Sequence, residues 1–441
     1  MKNKNKKIAF TTLGCRSNQY DTTAIEGMCK DEGFSIVPFT EEADAYVINT
    51  CTVTNSSDAQ SRQVIRQARK RNSEAVILVT GCYAQVSPDE VVELPEVDYV
   101  IANSGKGEVL DYIKRGRNIS GSQDGKLVRA KKGEGTPIML RAHDSDSRTR
   151  INLKVQDGCN KPCTFCIIPI ARGNQVSLPL EEVHKDINIL IDKGFREMVL
   201  TGIHLGAWGK DLRPKTSITE LIKDIESKRY DCRFRISSLD PDEVTDELVS
   251  ILKNAETICN HLHLPVQSCD DTVLELMKRH YTGRLFADKV FRLAEEVKNI
   301  SIGTDVIVGF PGETDERFEN TYNMIKELPI SYLHIFPYSD RKGTPAVGLD
   351  GHLHGDVIKE RCRRLKELDN IKRKEFYDNF IGSDMAVLVE SSRAKKSGLL
   401  RGRTSNYIPV EFDGSDELMK EMVSVSLTQS SIVNVTGRIV I

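Results

Sequence analysis

The chain has 441 residues, of which 39% are hydrophobic and 29% are charged, and its formal net charge is −2. This length predicts about three domains. The small net charge excludes nucleic-acid binding through overall charge, so any such contact must come from local basic patches. No apolar run is long enough to span a bilayer, and no signal-peptide core follows the basic residues 1–7. We therefore expect a cytoplasmic chain without membrane contact, in which metal binding by some of the eleven cysteines is favoured over disulfides.

Residues 1–114 alternate between short apolar runs and helix-like segments. Strands are predicted at 7–13, 45–50, 75–80 and 98–103, and helices between them at positions such as 20–32 and 58–71. This alternation predicts an α/β domain in which helices cover a parallel sheet.

Three cysteines follow predicted strands of this domain. Cys15, Cys51 and Cys82 each come just after a strand, and the carboxyl ends of parallel strands share one edge of a sheet, so we expect the three thiols to converge. Gly14 and Gly81 leave room beside the backbone for a bulky inorganic group. The pattern therefore predicts an iron–sulfur cluster with three protein ligands. The alternative for each cysteine taken alone is a small buried apolar residue.

The middle of the chain predicts a linker and then a barrel. Residues 115–144 are rich in Gly, Ser, Lys and Arg and predict a linker with one hairpin. From residue 145 to residue 379 the alternation resumes, with strands predicted at 151–156, 197–201, 233–237, 261–264, 301–308 and 331–336. Six strand–helix units predict an open (βα)6 partial TIM barrel, whose active site uses loops at the carboxyl ends of its strands.

The loop after the first barrel strand carries Cys159, Cys163 and Cys166 in the spacing C-x3-C-x2-C, with Phe165 just before the third cysteine. Three thiolates on one short loop can hold three irons of a four-iron cube and leave the fourth iron open. The alternatives are buried thiols or a zinc knuckle, although zinc usually takes four ligands and no fourth Cys or His lies nearby. The loop resembles that of the radical S-adenosylmethionine (SAM) enzymes. In that family the open iron binds the amino and carboxylate groups of SAM, and an electron from the cluster cleaves SAM to a 5′-deoxyadenosyl radical.

Other residues near the ends of barrel strands are predicted to contact SAM. A glycine after the second strand lets backbone groups reach the methionyl amino group, and hydroxyl or carboxylate side chains can bind the methionyl or ribose groups. Glycine turns after strands are ordinary in any barrel, so a structural role is the alternative for each residue. The predicted SAM contacts are Phe165, Thr201, Gly202, Ser237, Ser238, Gln267 and Asp305.

Residues 380–441 carry five short β patterns punctuated by Gly and Asn, which predict a small OB-like barrel of the type that binds oligonucleotides. Two basic segments add candidate phosphate contacts, for which a solvated helix face is the alternative. One segment contains Arg361, Arg363, Arg364, Lys366, Lys372, Arg373 and Lys374, and the other contains Arg62, Arg66, Arg69, Lys70 and Arg71.

Over almost its whole length the chain resembles the methylthiotransferases of the radical SAM superfamily. The matching motifs are Gly14-Cys15 with Asn18, Asn49-Thr50-Cys51, Gly81-Cys82, Asp157-Gly158-Cys159, Arg172-Gly173, Leu264-Pro265-Val266-Gln267-Ser268 and Arg401-Gly402-Arg403-Thr404. Cys269 is a departure, because most relatives have glycine there. The resemblance implies an auxiliary [4Fe-4S] cluster in the first domain, a second [4Fe-4S] cluster with SAM in the barrel, and a C-terminal TRAM domain that binds RNA.

The segment from Leu13 to Tyr20 is most similar to the branch that acts on N6-threonylcarbamoyladenosine beside the anticodon of tRNA. The resemblance implies conversion of that base to its 2-methylthio derivative, with one SAM supplying the methyl group and a second supplying the radical. It also implies three partners: the tRNA anticodon arm, an electron donor of flavodoxin or ferredoxin type, and a sulfur source. The alternatives are the branches acting on isopentenyladenosine in tRNA or on a ribosomal-protein aspartate, and a non-catalytic iron–sulfur regulator that binds RNA.

Overall fold

The computed structural model describes residues 6–117, 127–128, 139–141 and 149–440. These residues form a parallel sheet with helices, then an open parallel barrel, then a closed β-barrel. This arrangement confirms the fold class predicted from the sequence.

The first sheet has six parallel strands in the order β2-β1-β3-β4-β5-β6. They are β1 (Lys7–Thr12), β2 (Ser35–Val37), β3 (Ala45–Thr50), β4 (Val76–Gly81), β5 (Tyr99–Ile101) and β6 (Leu127–Val128). Both β3 and β4 are buried along their whole length, as expected for a parallel sheet covered on both faces. The short edge strand β2 was not predicted. Strand β6 falls within the predicted linker, and the rest of the predicted hairpin lies outside the described residues.

Helices cover this sheet on both faces. They are Arg16–Asp31, Asn55–Arg71, Cys82–Val86, Pro88–Val92 and Val109–Arg115, with a 3-10 helix at Asn103–Glu108. The first helix begins four residues before the predicted position, directly after Cys15. Because the helix starts early, Cys15 lies at a helix N-terminus and not in a loop.

The second unit alternates strands and helices as predicted. Its strands are β7 (Ile151–Lys154), β8 (Gln156–Asp157), β9 (Val176–Ser177), β10 (Glu197–Thr201), β11 (Arg233–Ile236), β12 (His261–His263), β13 (Ser301–Val308) and β14 (Tyr332–Pro337). Its helices are Ile168–Arg172, Leu180–Asp192, Ile218–Ser227, Asp246–Asn254, Asp271–Leu276, Gly283–Glu296, Asp315–Glu327 and Gly355–Asp378. Among the helices in the described ranges, none combines the length and apolar character needed to cross a membrane.

The barrel is open on one side. Six parallel strands run in two groups, β11-β10-β7 and β12-β13-β14, which meet through a bridge between Phe234 and Ile258. Strands β7 and β14 therefore form two free edges that face a side opening. The barrel core is built from apolar side chains of the strands and of the helices that cover them.

The chain ends in a closed five-stranded barrel in the order β15-β16-β17-β19-β18. Its strands are β15 (Asp384–Val389), β16 (Leu400–Thr404), β17 (Pro409–Phe412), β18 (Met422–Ser430) and β19 (Val435–Ile439). Two arginines of β11 in the larger barrel form hydrogen bonds to this C-terminal barrel. Arg233 donates to the carbonyl of Arg403 over 2.7 Å and Arg235 donates to that of Ser405 over 2.7 Å.

The basic stretch in the last helix is not a free phosphate-binding face, contrary to the prediction. Each cation has a partner within the protein: Arg361 binds Glu313 and Asp315, Arg363 binds Glu360 and Glu367, Arg364 binds Glu319, Lys366 and Arg373 bind Asp369, Lys374 binds Asp378, and Lys372 donates to the carbonyls of Lys326 and Leu328. These contacts neutralise the helix and fix it against the barrel.

Candidate functional site

The barrel triad, Cys159, Cys163 and Cys166, lies on the loop that follows β8 at the carboxyl end of the barrel. The loop starts at Gly158, whose φ is +71° and at which a Cβ atom would lie 2.0 Å from the carbonyl oxygen of Asn174. Only glycine fits this position without rearrangement of the backbone.

Hydrogen bonds hold the middle of this loop in place. Thr164 donates from its hydroxyl to the carbonyl of Leu276 over 2.8 Å and from its backbone N–H to that of Met277 over 3.2 Å. The backbone N–H of Ala346 donates to Thr164 in turn, over 2.9 Å. Neighbouring segments of the barrel domain therefore hold Thr164, in the middle of the loop, in place.

Several donors are aimed at the sulfur atoms of the barrel triad. Arg279 donates to the Sγ of Cys163 over 3.2 Å, and the backbone N–H of Lys161 donates to the Sγ of Cys159 over 3.4 Å. Burial raises the pKa of Cys166 to about 12. A cation must therefore bind this sulfur before it becomes a thiolate at neutral pH, and the surrounding donors suit thiolate ligands.

The sheet triad, Cys15, Cys51 and Cys82, lies at the carboxyl edge of the first sheet, where the sequence analysis placed it. Cys15 is the N-cap of the first helix, Cys51 follows β3, and Cys82 opens the helix after β4. A Cβ atom at Gly14 would lie 2.7 Å from the Sγ of Cys51, so this glycine allows the close approach of two ligand segments. Burial raises the pKa of Cys51, and the sulfur atoms of Cys82 and Cys15 raise it further. The fold thus brings the three thiols together.

Neither triad is arranged to share a single ion. Among the described residues, the ligand atoms of only two groups of three approach one another within 4.8 Å: His263 with Asp305 and His334, and His204 with Asp240 and Glu243. No cysteine belongs to either group. Three sulfurs on one zinc ion would lie about 3.8 Å apart, given Zn–S bonds of about 2.3 Å. Wider spacing suits ligands of three separate irons in a cube and disfavours the zinc knuckle.

A buried ion network joins the two triads. It consists of Asp21, Lys106, Lys154, Asp157 and Arg172, whose side chains are all 4% exposed or less. Lys106 donates to Asp21 over 2.6 Å. Lys154 lies 2.5 Å from Asp21 and 2.8 Å from Asp157, and Arg172 lies 3.3 Å and 2.8 Å from the same two carboxylates. Because Asp21 belongs to the first unit and Asp157 precedes the cysteine loop, the network fixes one triad relative to the other.

This network carries an excess positive charge, with three cations against two carboxylates. Its Arg172 Nε is buried without a hydrogen-bond partner. Burial lowers the pKa of Arg172, but Asp157, Cys82, Asp21 and Cys15 together raise it well above its usual value. The sheet triad therefore faces uncompensated positive charge, which suits three thiolates that bind an anionic iron–sulfur group.

The residues predicted to contact SAM lie around the carboxyl end of the barrel. Thr201 ends β10, but its hydroxyl donates back to the carbonyl of Val199 over 3.0 Å. A Cβ atom at Gly202 would lie 2.8 Å from Oε1 of Gln156, so this glycine permits close packing at the strand end. Ser237 follows β11 beside the half-buried Ser238, and its Oγ is buried without a partner. A buried, unpartnered hydroxyl at this edge is the donor that a polar ligand needs.

The other three predicted contacts have structural partners. Phe165 packs edge-on against Phe310, with 6.4 Å between ring centroids. Gln267 has a φ of +66° and pairs with β13 through its backbone.

Asp305 lies within β13, which continues to Val308 as predicted. It lies 2.7 Å from Nε2 of His263 and 3.1 Å from Nδ1 of His334. Burial raises the pKa of Asp305, but these two histidines outweigh burial and hold the pKa below its usual range.

Sequence reasoning missed the ion pairs that surround the barrel triad. Arg279 binds Asp240 at 2.6 Å, and Lys161 on the cysteine loop binds the same carboxylate. His204 binds Glu243 over 2.5 Å. In the sequence, only the position of Lys161 within the cysteine motif indicated a charge beside the triad. The other partners lie far apart in the sequence and form no recognisable pattern.

Two family descriptions match separate parts of the chain. The uncharacterized protein family UPF0004 matches residues 7–102, and the Radical SAM superfamily matches residues 153–325. The chain is also 43% identical over 419 residues to the Threonylcarbamoyladenosine tRNA methylthiotransferase MtaB of Aquifex aeolicus (strain VF5), with 94% of this chain and 98% of the relative covered. The chain belongs to the methylthiotransferase family of radical SAM proteins.

Other comparisons refine this family membership. This methylthiotransferase chain is 30% identical over 448 residues to the tRNA-2-methylthio-N(6)-dimethylallyladenosine synthase of Clostridium tetani (strain Massachusetts / E88), with 98% of this chain and 97% of the relative covered. The greater identity to the threonylcarbamoyladenosine relative confirms the branch predicted from the sequence. The radical SAM methyltransferase TsrM from Kitasatospora setae has a related fold, with a TM-score of 0.58, 16% identity and coverage of 78% of this chain and 75% of that chain.

Proposed function

We propose that this protein is a tRNA methylthiotransferase that converts N6-threonylcarbamoyladenosine beside the anticodon to its 2-methylthio derivative. The observation that carries this proposal is the pairing of two cysteine triads, one at a sheet edge and one at a barrel mouth, through a buried ion network. Similarity to the threonylcarbamoyladenosine relative supports the choice of substrate.

Each triad would hold one [4Fe-4S] cluster through three irons. Cys159, Cys163 and Cys166 would bind the cluster that takes SAM, and Cys15, Cys51 and Cys82 would bind the auxiliary cluster. When bound, the barrel cluster supplies the electron that cleaves SAM to a carbon radical, which can react at an adenine C–H that no acid or base side chain can activate.

The protein's own residues position these groups and shield them. The Ser237 hydroxyl and the backbone at Gly202 would bind polar atoms of SAM, and Phe165 would present an apolar surface beside the third cysteine. Arg279 donates to a ligand sulfur, and such donors tune cluster potential in iron–sulfur proteins. Thr201, Ser238, Gln267 and Asp305 would complete the wall around SAM.

The tRNA would contact a basic face of the helix Asn55–Arg71, which begins four residues after Cys51. Arg62, Arg66 and Lys70 follow one another at four-residue spacing beside a shallow cleft that Gln63 and Gln67 also line. Arg66 is 64% exposed and its nearest carboxylate, Glu96, lies 4.0 Å away. Arg66 and Lys70 are exposed, and Arg62, which donates to the hydroxyl of Tyr83 over 2.8 Å, is partly exposed. Positive charges at this spacing can follow a phosphate backbone, whereas the paired cations of the last helix cannot. The C-terminal barrel would hold the anticodon arm from the other side.

The reaction also needs components from outside the chain. An electron donor of flavodoxin or ferredoxin type would reduce the barrel cluster, and a sulfur source would supply the auxiliary site. These components and the tRNA substrate would place the activity in the cytoplasm, in which low redox potential keeps cysteines available for metal.

The test is nucleoside mass spectrometry after reaction of the anaerobically reconstituted protein with SAM, a reductant, sulfide and defined RNA stem-loops. We expect 2-methylthio product from the stem-loop that carries threonylcarbamoyladenosine, and much less from one that carries isopentenyladenosine. A preference for the isopentenyladenosine stem-loop, or the absence of methylthio product from every stem-loop, would overturn the proposal.

A further inference from the structure

Arg16 lies between the sheet triad and the side opening of the barrel. It is the first residue of the first helix and directly follows Cys15. One turn later on the same helix face, the ring of Tyr20 lies 5.4 Å from the Nζ of Lys154, which ends the free edge strand β7. Residues four apart on a helix share a face, so Arg16 is directed toward the same edge of the barrel.

Arginines surround the ring of Tyr407, which lies 4.3 Å from the guanidinium of Arg403 and 4.8 Å from that of Arg235. Burial raises the pKa of Tyr407, but Arg403, Arg16, Arg150 and Arg235 lower it to about 8. The charge of Arg16 therefore acts on a ring that the C-terminal barrel contributes.

Within the described ranges, the side chain of Arg16 is partly buried and forms no hydrogen bond or ion pair. Other cations around the cysteines do have carboxylate partners: Arg172 with Asp157, Arg279 and Lys161 with Asp240, and Arg341 with Asp58. A partly buried charge without a partner is costly unless a ligand supplies the opposite charge. An anionic ligand would therefore stabilise the free guanidinium next to Cys15.

We propose that Arg16 binds the carboxylate of the amino-acid group carried on N6 of the target adenine, and thereby determines substrate specificity. This inference rests on the proposed function. The threonylcarbamoyl group ends in a carboxylate, whereas the dimethylallyl group is an uncharged hydrocarbon. A guanidinium binds a carboxylate through two parallel hydrogen bonds, and a site built for such a group rejects analogues that lack it. Its position next to Cys15 places the contact within one side chain of the auxiliary site.

The same guanidinium could instead bind an RNA phosphate, and the experiment separates these two sources of negative charge. Binding would be measured for three stem-loops of one sequence, which carry at the target position threonylcarbamoyladenosine, the same base with its carboxylate converted to a primary amide, or unmodified adenosine. For the wild-type protein, we expect the amide to weaken binding at least about tenfold, because a charge partner is removed from a partly buried site.

Variants of Arg16 provide the second part of the experiment. Arg16→Gln should weaken binding of the carboxylate stem-loop to the level of the amide and leave the other two RNAs unchanged, and Arg16→Lys should restore part of the loss. Iron content and reductive SAM cleavage, measured for each variant, would show that both triads remain loaded. Equal weakening for all three RNAs with a reduced salt dependence would indicate a phosphate contact and overturn the inference.

Failure of the inference and failure of the proposed function have different signatures. A wild-type protein that forms methylthio product but binds carboxylate and amide stem-loops equally would refute the role of Arg16 alone. A wild-type protein that forms no product from the threonylcarbamoyladenosine stem-loop would refute the proposed function itself.

Discussion

At the scale of single residues, the glycines beside the cysteines explain why the ligand segments approach so closely. Gly14, Gly81 and Gly158 all have positive φ values, and an added Cβ atom at each would lie within 2.7 Å of another heavy atom. The sequence predicted room for an inorganic group at two of these positions. It did not predict that Gly81 and Gly158 are required by nearby backbone atoms, because those atoms belong to residues distant in the sequence.

Replacement of Gly158 by Ala should destabilise the protein by about 2 kcal/mol or more, because the added Cβ atom combines a strained φ with a backbone clash. The barrel triad should also lose iron. The control is Gly107→Ala, since nothing lies within 4 Å of a Cβ atom at that position. Melting temperature and iron content measure both effects, and equal behaviour of the two variants would contradict this explanation.

A second residue-scale test concerns Glu197, which is fully buried between Arg235 and Arg233. Burial raises the pKa of Glu197, but the two arginines outweigh it and hold the pKa at about 2. A carboxylate with a lowered pKa stabilises the folded state above its unfolded pKa and loses that contribution as the pH falls. The free energy of unfolding should therefore fall by up to about 3 kcal/mol between pH 5 and pH 2 because of this group.

Urea unfolding as a function of pH would measure this contribution. Glu197→Gln should be less stable than the wild type at pH 7 and show a shallower decrease in acid, whereas the exposed Glu417→Gln should follow the wild-type curve. Parallel curves for Glu197→Gln and the wild type would rule out the lowered pKa.

At the scale of secondary-structure elements, the sequence predicted most strands and helices, and it predicted convergence of the sheet triad from strand ends. The prediction that the basic residues of the last helix are free to bind phosphate was wrong. Pairs such as Arg363 with Glu360 and Glu367 lie three or four residues apart and can be read from the sequence. The contact of Arg361 with Glu313 joins residues 48 apart, and only the packing of the helix against the barrel reveals it.

The helix Asn55–Arg71 is therefore the element on which phosphate binding should be tested. Changing Arg62, Arg66 and Lys70 together to Ala should weaken tRNA binding and reduce the slope of log Kd against log salt by about two to three, since each phosphate contact contributes slightly less than one. The control changes Arg363, Lys366 and Lys374, which have partners within their own helix. A larger loss of tRNA affinity in the control variant would indicate that the last helix binds the phosphates instead.

At the scale of the whole molecule, the buried ion network holds the two cysteine triads in one arrangement. The sequence predicted both triads but not the network, because its charged residues lie on separate elements and give no local pattern. Breaking a buried ion pair typically costs about 3–5 kcal/mol, whereas an exposed pair such as Arg196 with Asp231 contributes about 1 kcal/mol or less.

Arg172→Met should therefore destabilise the protein strongly, because Asp157 loses a donor that contacts both of its oxygens and Asp21 loses one of three donors. The matched control is Arg196→Ala, which removes an exposed pair. Chemical unfolding compares the two variants, and a small loss for Arg172→Met would indicate that the network does not hold the two units together.

A direct test asks whether the two triads divide the reaction between them. Reconstituted wild-type protein should hold about eight irons, and each variant with one triad changed to Ala should hold about four. The variant of Cys159, Cys163 and Cys166 should lose reductive SAM cleavage. The variant of Cys15, Cys51 and Cys82 should retain SAM cleavage but form no methylthio product from threonylcarbamoyladenosine stem-loops. SAM cleavage by the first variant, or methylthio product from the second, would contradict the central claim.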